Sequence, residues 1–398
     1  MAITDINEYA HLTDADVEAL GAELDTLRRE IEADRGMRDV KYLRRTILAH
    51  RALEVTGRVA LLGSRSRPLW LLGTGALALS KIIENMELGH NVMHGQWDWM
   101  NDPEVHSTTW EWDMVCASPH WKHSHNYIHH KYTNVLDMDH DVGYKTLRVT
   151  RDDPWEPKLL LQPLTNVVLA ALFEWGIGLH DLDLKDVISG AKPKEIARPQ
   201  LKLFARKVGK QIVKDYVLFP ALSGPNFTHT LTANLTANLI RNLWAYVVIF
   251  CGHFPDGAEK FTVESLENET QGQWYLRQML GTANFDAGPA MAFFSGNLCY
   301  QIEHHLYPDL PSNRYAEIAV RVRALCDKYD LPYTTGPLAV QYFQTLRTIN
   351  KLSLPDRFLR ATSDDAPETA SEKRFAGMPR ATGLKAAIRE LRARRRRR

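Results

Sequence analysis

Apolar residues recur at helical spacing from the first patterned segment onward. Over residues 14–38, Val17, Leu20, Leu24, Leu27 and Ile31 fall on one face, with Asp14 or Asp16 as the expected cap. Residues 41–66 are basic and amphipathic, the pattern of a helix lying on a membrane surface or, equally, of one packed on a core. Longer apolar runs follow at 69–83, 159–179 and 231–252, with a shorter one at 212–222. A spanning helix needs about 20 mostly apolar residues. These runs are borderline in length or interrupted by Glu174, Lys214 and Arg241. Together, with Trp70, Trp175, Tyr216, Trp244 and Tyr246 near their ends, they favour insertion. The basic stretch 185–214 is then cytoplasmic, so 212–222 and 231–252 form one hairpin and 159–179 lies on the surface or re-enters. Gly73-Thr-Gly75 mimics a dinucleotide fingerprint, but it sits inside an apolar run without a strand–helix context, which favours helix packing.

Mean hydropathy of −0.32 argues against a polytopic membrane protein only as an average that hides local runs. Forty-nine Lys and Arg against 48 Asp and Glu give a net charge of +1. That balance is uneven along the chain. From Arg360 the composition turns to Ala, Ser, Thr, Asp and Pro, a flexible linker, and residues 385–398 carry eight basic residues against Glu390. This tail holds +7 and leaves −6 on the rest, so it is either a solvated end or a contact for anionic lipid. No base-reading module accompanies it, and nucleic acid is not an expected partner. The first 20 residues are acidic and polar, which predicts no secretory signal peptide and a cytosolic start. Four Cys without a CxxC pair argue against a disulfide scaffold or a Cys-based metal site.

The 16 His change the picture most. His90 and His94 are four residues apart, as are His125 and His129, with His130 adjacent; Gln301 precedes His304 and His305 by three and four. Such spacing points both imidazoles of a pair from one helical face. With His253 just past an apolar run, eight His gather, more than the three or four of one zinc site and suited to two ions. Imidazole alone does not choose among Zn, Cu, Fe and Ni. Only Glu87-Leu-Gly-His90 matches the Glu-x-x-His of ferritin-like carboxylate sites, and HExxH is absent. Glu87, Glu303, Asp139 and Asp141 are candidates to orient ligand imidazoles; His120, His123 and His140 fall off the pattern.

In order and spacing the three clusters resemble the histidine boxes of the membrane fatty-acid desaturases: His90–His94, His125–His130 and Gln301–His305. The flanking His129-His130-Lys-Tyr-Thr-Asn134, Gln301-Ile-Glu-His-His-Leu-Tyr-Pro308 and Cys251-Gly-His-Phe-Pro-Asp256 resemble most the actinobacterial acyl-CoA Δ9 (stearoyl-CoA) group. The resemblance implies two irons ligated by His90, His94, His125, His129, His130, His253, His304 and His305, with O2 as co-substrate. It implies a cis double bond made in a long saturated acyl-CoA, and electrons from a separate NAD(P)H-dependent reductase or ferredoxin-type donor. No His-Pro-Gly-Gly of a fused cytochrome b5 is present. Two departures stand out. Gln301 opens the third box as in front-end desaturases, where it could bind metal or a ligating water. Animal relatives carry Asn where this chain has Ile249, leaving Asn297 as a candidate for a water-bridging role.

The expected fold is all-α, with integral-membrane helices and a cytosolic helical cap holding the di-metal site. Residues 1–67 are expected as a helical, partly membrane-surface segment, 68–359 as the membrane-embedded desaturase domain and 360–398 as linker and tail. The expected location is the cell membrane, multi-pass, with the metal site on the cytosolic side. The rival readings are a front-end (Δ6-type) or acyl-lipid desaturase, a fatty-acyl hydroxylase, and a non-catalytic metal-binding membrane protein.

Overall fold

The computed structural model describes residues 2–6 and 11–359, apart from the side chain of Lys185; the linker and basic tail expected at 360–398 lie outside the described residues. Among those residues the fold is all-helical, with isolated bridges such as Ile3 to Phe261 and no strand.

Helix α1 (Asp14–Ala33) buries the expected face, Val17, Leu20, Leu24, Leu27 and Ile31. Its cap differs from expectation. Thr13 receives the Asp16 N–H, and the Asp16 carboxylate receives the Thr13 N–H, so the hydroxyl one residue upstream closes a capping box. The helix also stops short of Arg38. Gly36 breaks it, and a second helix, α2 (Met37–Leu61), starts with Asp39 accepting the Gly36 N–H at 3.0 Å. Asp39 is fully buried because the Arg314 guanidinium holds it at 2.6 Å.

Helix α2 packs along α3 (Arg67–Ile82). A Cβ on Gly57 would lie 3.1 Å from the Gly73 carbonyl, and one on Gly73 3.1 Å from the Gly57 carbonyl, so this glycine pair sets the close approach. The pseudo-fingerprint is thus a packing feature. The described part of residues 1–67 packs on later helices: α1 lies on α9 (Gln271–Gly281), where a Cβ on Gly272 would meet the Val17 carbonyl at 2.4 Å. Arg28 reaches Asp309 at 2.9 Å, just beyond the third histidine cluster.

The apolar run 159–179 is broken. The helices Pro157–Ala171 (α5) and Phe173–His180 (α6) meet at about 100°. The bend seats Phe173, fully buried, against Tyr144 and Tyr246. It also brings Glu174 to Arg241 at 2.7 Å, both buried. Two of the three charges that interrupt the apolar runs therefore neutralise each other. The third, Lys214, pairs with Asp113. The expected hairpin is present: α7 (Lys194–Ile212) runs on through residues 213–222, turns at 223–226, and returns as α8 (Phe227–His253). Among the described residues one helix, Gly224–His253, is long and apolar enough to cross a membrane, or two if the bent pair counts as one span.

Candidate metal centre

Three helical segments and the end of α8 converge on one point. Helix α3 continues past Ile82 as a π-helical stretch, Ile83–His90, and the second histidine cluster lies in another, Lys122–His129 (here part of α4, Ser118–Trp121 and onward). The wider turn was not legible in the spacing, yet π turns recur at functional sites because they rotate side chains off the regular pitch. Here they aim the first two clusters at the third, carried on α10 (Gln301–Leu306).

The ligand nitrogens of His90, His94, His125 and His304 lie within 4.8 Å of one another, as do those of His129, His253 and His305. His130 stands between the groups, its ring centroid 4.6 Å from His94 and 4.3 Å from His305. All eight candidate ligands are thus brought together. His120, His123 and His140 join neither group.

The hydrogen bonds sort the ring nitrogens into outward and inward sets. Outward, Nδ1 of His129 meets Asp139 at 2.9 Å and Nδ1 of His125 meets Asp141 at 3.3 Å. Nδ1 of His90 meets the Asn91 amide oxygen, Nδ1 of His304 meets the Tyr315 hydroxyl, and Nδ1 of His305 meets Thr133 and the Gln278 amide oxygen. Inward, Nε2 of His94, His125, His129, His130, His304 and His305 is buried without a hydrogen-bond partner. So many unmet imidazole nitrogens facing one another is costly for an empty polar core and is what a metal site requires. Burial pushes His90 down to about 3, and pushes His94, His130, His304 and His305 well below the ordinary range. Those rings are neutral, as metal ligands must be. Burial also opposes the proton on His129, but Asp139 and Asp141 outweigh it and hold that group above its ordinary value.

The carboxylates divide. Asp139 and Asp141 reach imidazoles; Glu87 and Glu303 do not. Glu87 accepts from Ser312 at 2.6 Å, Tyr42 at 2.9 Å and Asn297 at 3.1 Å, and burial pushes it up to about 8. Glu303 accepts from Asn284 and Tyr333 and is pushed by burial to about 7. Asn297 spends its amide nitrogen on Tyr42 and Glu87, outside both histidine groups. Gln301 approaches His253, side-chain nitrogen to Nε2, at 2.9 Å. Sequence reasoning missed Asn91, Thr133, Gln278 and Tyr315 as imidazole partners. Asn91 and Thr133 sit inside or beside the boxes and could have been found there; Gln278 and Tyr315 come from other helices and leave no local signal.

A narrow cavity abuts the site. His90, His125, His253 and Gln301 close one part of it, and Met86, Tyr144, Phe173, Ile177, Ala245 and Ile249 supply apolar wall. Ile249 therefore serves as apolar lining at the position where animal relatives carry Asn.

The comparisons fit this geometry. A family model for fatty acid desaturases matches residues 68–337, which contain all eight histidines. The chain belongs to the fatty acid desaturase family. This desaturase is 59% identical to the NADPH-dependent stearoyl-CoA 9-desaturase of Mycobacterium tuberculosis, over 100% of this chain and 96% of that protein. It is 24% identical to the sn-1 linoleoyl-lipid 6-desaturase of Synechocystis sp., over 68% of this chain and 76% of that one. Fatty acid desaturase 3 of Bos taurus is 24% identical over 59% of this chain and 50% of its own length. The desaturase is an oxidoreductase of lipid metabolism.

Proposed function

We propose that this desaturase introduces a cis double bond between carbons 9 and 10 of stearoyl-CoA, using O2 and two histidine-held irons. The observation that carries the reading is the pair of buried histidine groups opening on an apolar cavity. The end-to-end identity with a stearoyl-CoA 9-desaturase supports the acyl-CoA substrate and the position. Gln301 favours the front-end alternative, as does the 6-desaturase relative, but that relative matches at far lower identity and over part of the chain.

Two adjacent methylenes each lose one hydrogen, and O2 is reduced to two waters with two further electrons and two protons. Two irons, when bound, supply the O2-reducing chemistry. The protein contributes the rest. Asp139, Asp141, Asn91, Gln278, Thr133 and Tyr315 fix the outward face of five imidazoles, so the inward nitrogens stay aimed. Phe173, Ile177 and Ala245 line the cavity beside the histidines and would keep water from an acyl chain lying there. Where the chain stops in the cavity selects the methylene pair. Electrons arrive from a separate donor, an NAD(P)H-dependent reductase or a ferredoxin-type protein; the M. tuberculosis relative is NADPH-dependent.

We read the desaturase as a multi-pass protein of the cell membrane with the metal site on the cytosolic side. Support comes from the exposed apolar faces of several helices: Leu48, Val55 and Val59 on α2 with Leu62 just past it, Leu71 and Leu72 on α3, Leu164, Val167 and Val168 on α5, and Leu235, Leu239 and Leu243 on α8. Helix α2 in this reading keeps its basic start in the cap and sends its apolar end into lipid. That departs from a helix lying flat on the surface.

The test is product mapping. The purified desaturase with stearoyl-CoA, NADPH, a reductase and O2 should yield an 18-carbon chain with its double bond at carbon 9, located by mass spectrometry. A bond at carbon 6 would select the front-end reading, a hydroxylated chain the hydroxylase reading. Bound iron without any O2-dependent product would leave a metal-binding protein.

A further inference from the structure

Six of the eight histidines present an unpartnered Nε2 to the site, and His253 breaks the rule. Its Nδ1 is buried without a partner, and the ring belongs to the group formed with His129 and His305. Its Nε2 is instead taken up, 2.9 Å from the Gln301 side chain. Gln301 is itself buried, and its remaining amide atom makes no hydrogen bond. The side chain has little freedom to leave: a Cβ on Gly252 would lie 2.8 Å from Gln301 Cγ and 2.9 Å from its Cδ. Glycine beside His253 is what lets Gln301 lie across it.

A neutral imidazole carries one proton. If the Gln301 amide N–H donates to Nε2, the ring proton must sit on Nδ1, which is buried with nothing to accept it. If the amide is turned end for end, which leaves its heavy atoms in place, the oxygen accepts an Nε2–H and Nδ1 offers its lone pair inward. The second arrangement matches the other rings, where Asn91 and Gln278 already use an amide oxygen in this way on His90 and His305. The amide nitrogen then takes the place of the unpartnered oxygen, beside the cavity that Gln301 lines.

We propose that Gln301 is a positioning residue that accepts the Nε2–H of His253 and so fixes the tautomer in which Nδ1 binds metal, and that it is not itself a ligand. The inference rests on the reading that His129, His253 and His305 hold an iron. It explains why a glutamine serves at the head of the third box: the position carries an acceptor for His253. Gly252 and Gln301 act as one unit.

The experiment measures iron per chain under chelator challenge, with Mössbauer spectra to count distinct sites. Wild type should hold two irons. Gln301→Leu, which removes the acceptor, should lose the iron of the His253 group 10–100-fold more readily. The His90–His94–His125–His304 group should keep its iron, which also reports that the chain is folded. Gln301→Glu, which keeps an acceptor, should hold two irons within a few-fold of wild type. His253→Ala and the double variant His253→Ala/Gln301→Leu should release iron alike. Further loss in the double variant would show that Gln301 ligates in its own right and would overturn the proposal. So would wild-type retention in Gln301→Leu, or loss in Gln301→Glu as deep as in Gln301→Leu. Wild-type protein that binds no iron would instead sink the metal reading beneath it.

Discussion

Replacing Asp139 by Ala should damage the metal site without touching any candidate ligand. The Asp139 carboxylate is buried and accepts from three donors: the His129 Nδ1–H, forked over both oxygens at 2.9 and 3.1 Å, the Asn134 N–H at 2.8 Å and the Asp141 N–H at 2.9 Å. Truncation strands two backbone donors and one imidazole in a dry interior. At about 1–3 kcal/mol for each unmet buried group, the loss of stability should be at least about 3 kcal/mol. His129 is then free to rotate, and loss of such an outer partner costs about 10–100-fold in metal affinity. Asp139→Asn keeps the volume and one acceptor oxygen and should fall between. Thermal unfolding of the detergent-purified protein gives the first quantity, and iron retention against a chelator gives the second. An Asp139→Ala protein within about 1 kcal/mol of wild type, holding iron within twofold, would refute the argument.

Glu87 yields a pH prediction. Its carboxyl is raised from 4.5 to about 8 in the folded chain, so the folded state keeps a proton that the unfolded state releases. Stability is therefore lost as pH rises between those values, by up to about 1.4 kcal/mol per unit, and Glu87→Gln should flatten the slope. Equal pH slopes of melting temperature in the two proteins would contradict this. Arg241→Met leaves Glu174 as an uncompensated buried charge and should cost about 3–5 kcal/mol, whereas Arg241→Met with Glu174→Met should recover most of it in a denaturation series. Ala245→Trp fills the apolar cavity and should depress turnover of stearoyl-CoA far more than that of shorter acyl-CoAs; equal loss on all chain lengths would remove Ala245 from the substrate's path.

The sequence carried the chemistry more clearly than the scaffold. Box histidines at helical spacing are a local pattern, and the seven of them meet His253 in space because each box sits on a helix aimed at the same point. The π turns at Ile83–His90 and Lys122–His129 left no readable trace, since a wider pitch is held by tertiary contacts. The orienting groups divide the same way. Asp139 and Asp141 follow box two closely enough to be suspected, whereas Gln278 on α9 and Tyr315 at the head of a later helix are brought in by the fold. Glu87 and Glu303 show the converse error. Adjacency to a box histidine along the chain pointed to them, but their carboxylates turn to Tyr42, Ser312, Asn284 and Tyr333. The break at Leu172 was equally hidden, because residues 167–173 around it are all apolar, without Gly or Pro, and the bend is set by where Phe173 and Glu174 find partners. Membrane insertion was argued from those runs, and its support now comes from which faces of the helices stay uncovered.

The central claim is that two irons, held together by these histidines, are needed for each double bond. Reducing O2 to two waters takes four electrons, two of them from the acyl chain and two from outside it. Anaerobically reduced, iron-loaded desaturase given stearoyl-CoA and one pulse of O2, without any electron donor, should form one double bond per two irons. Product at one double bond per iron, or product that does not vary with iron content, would contradict the account.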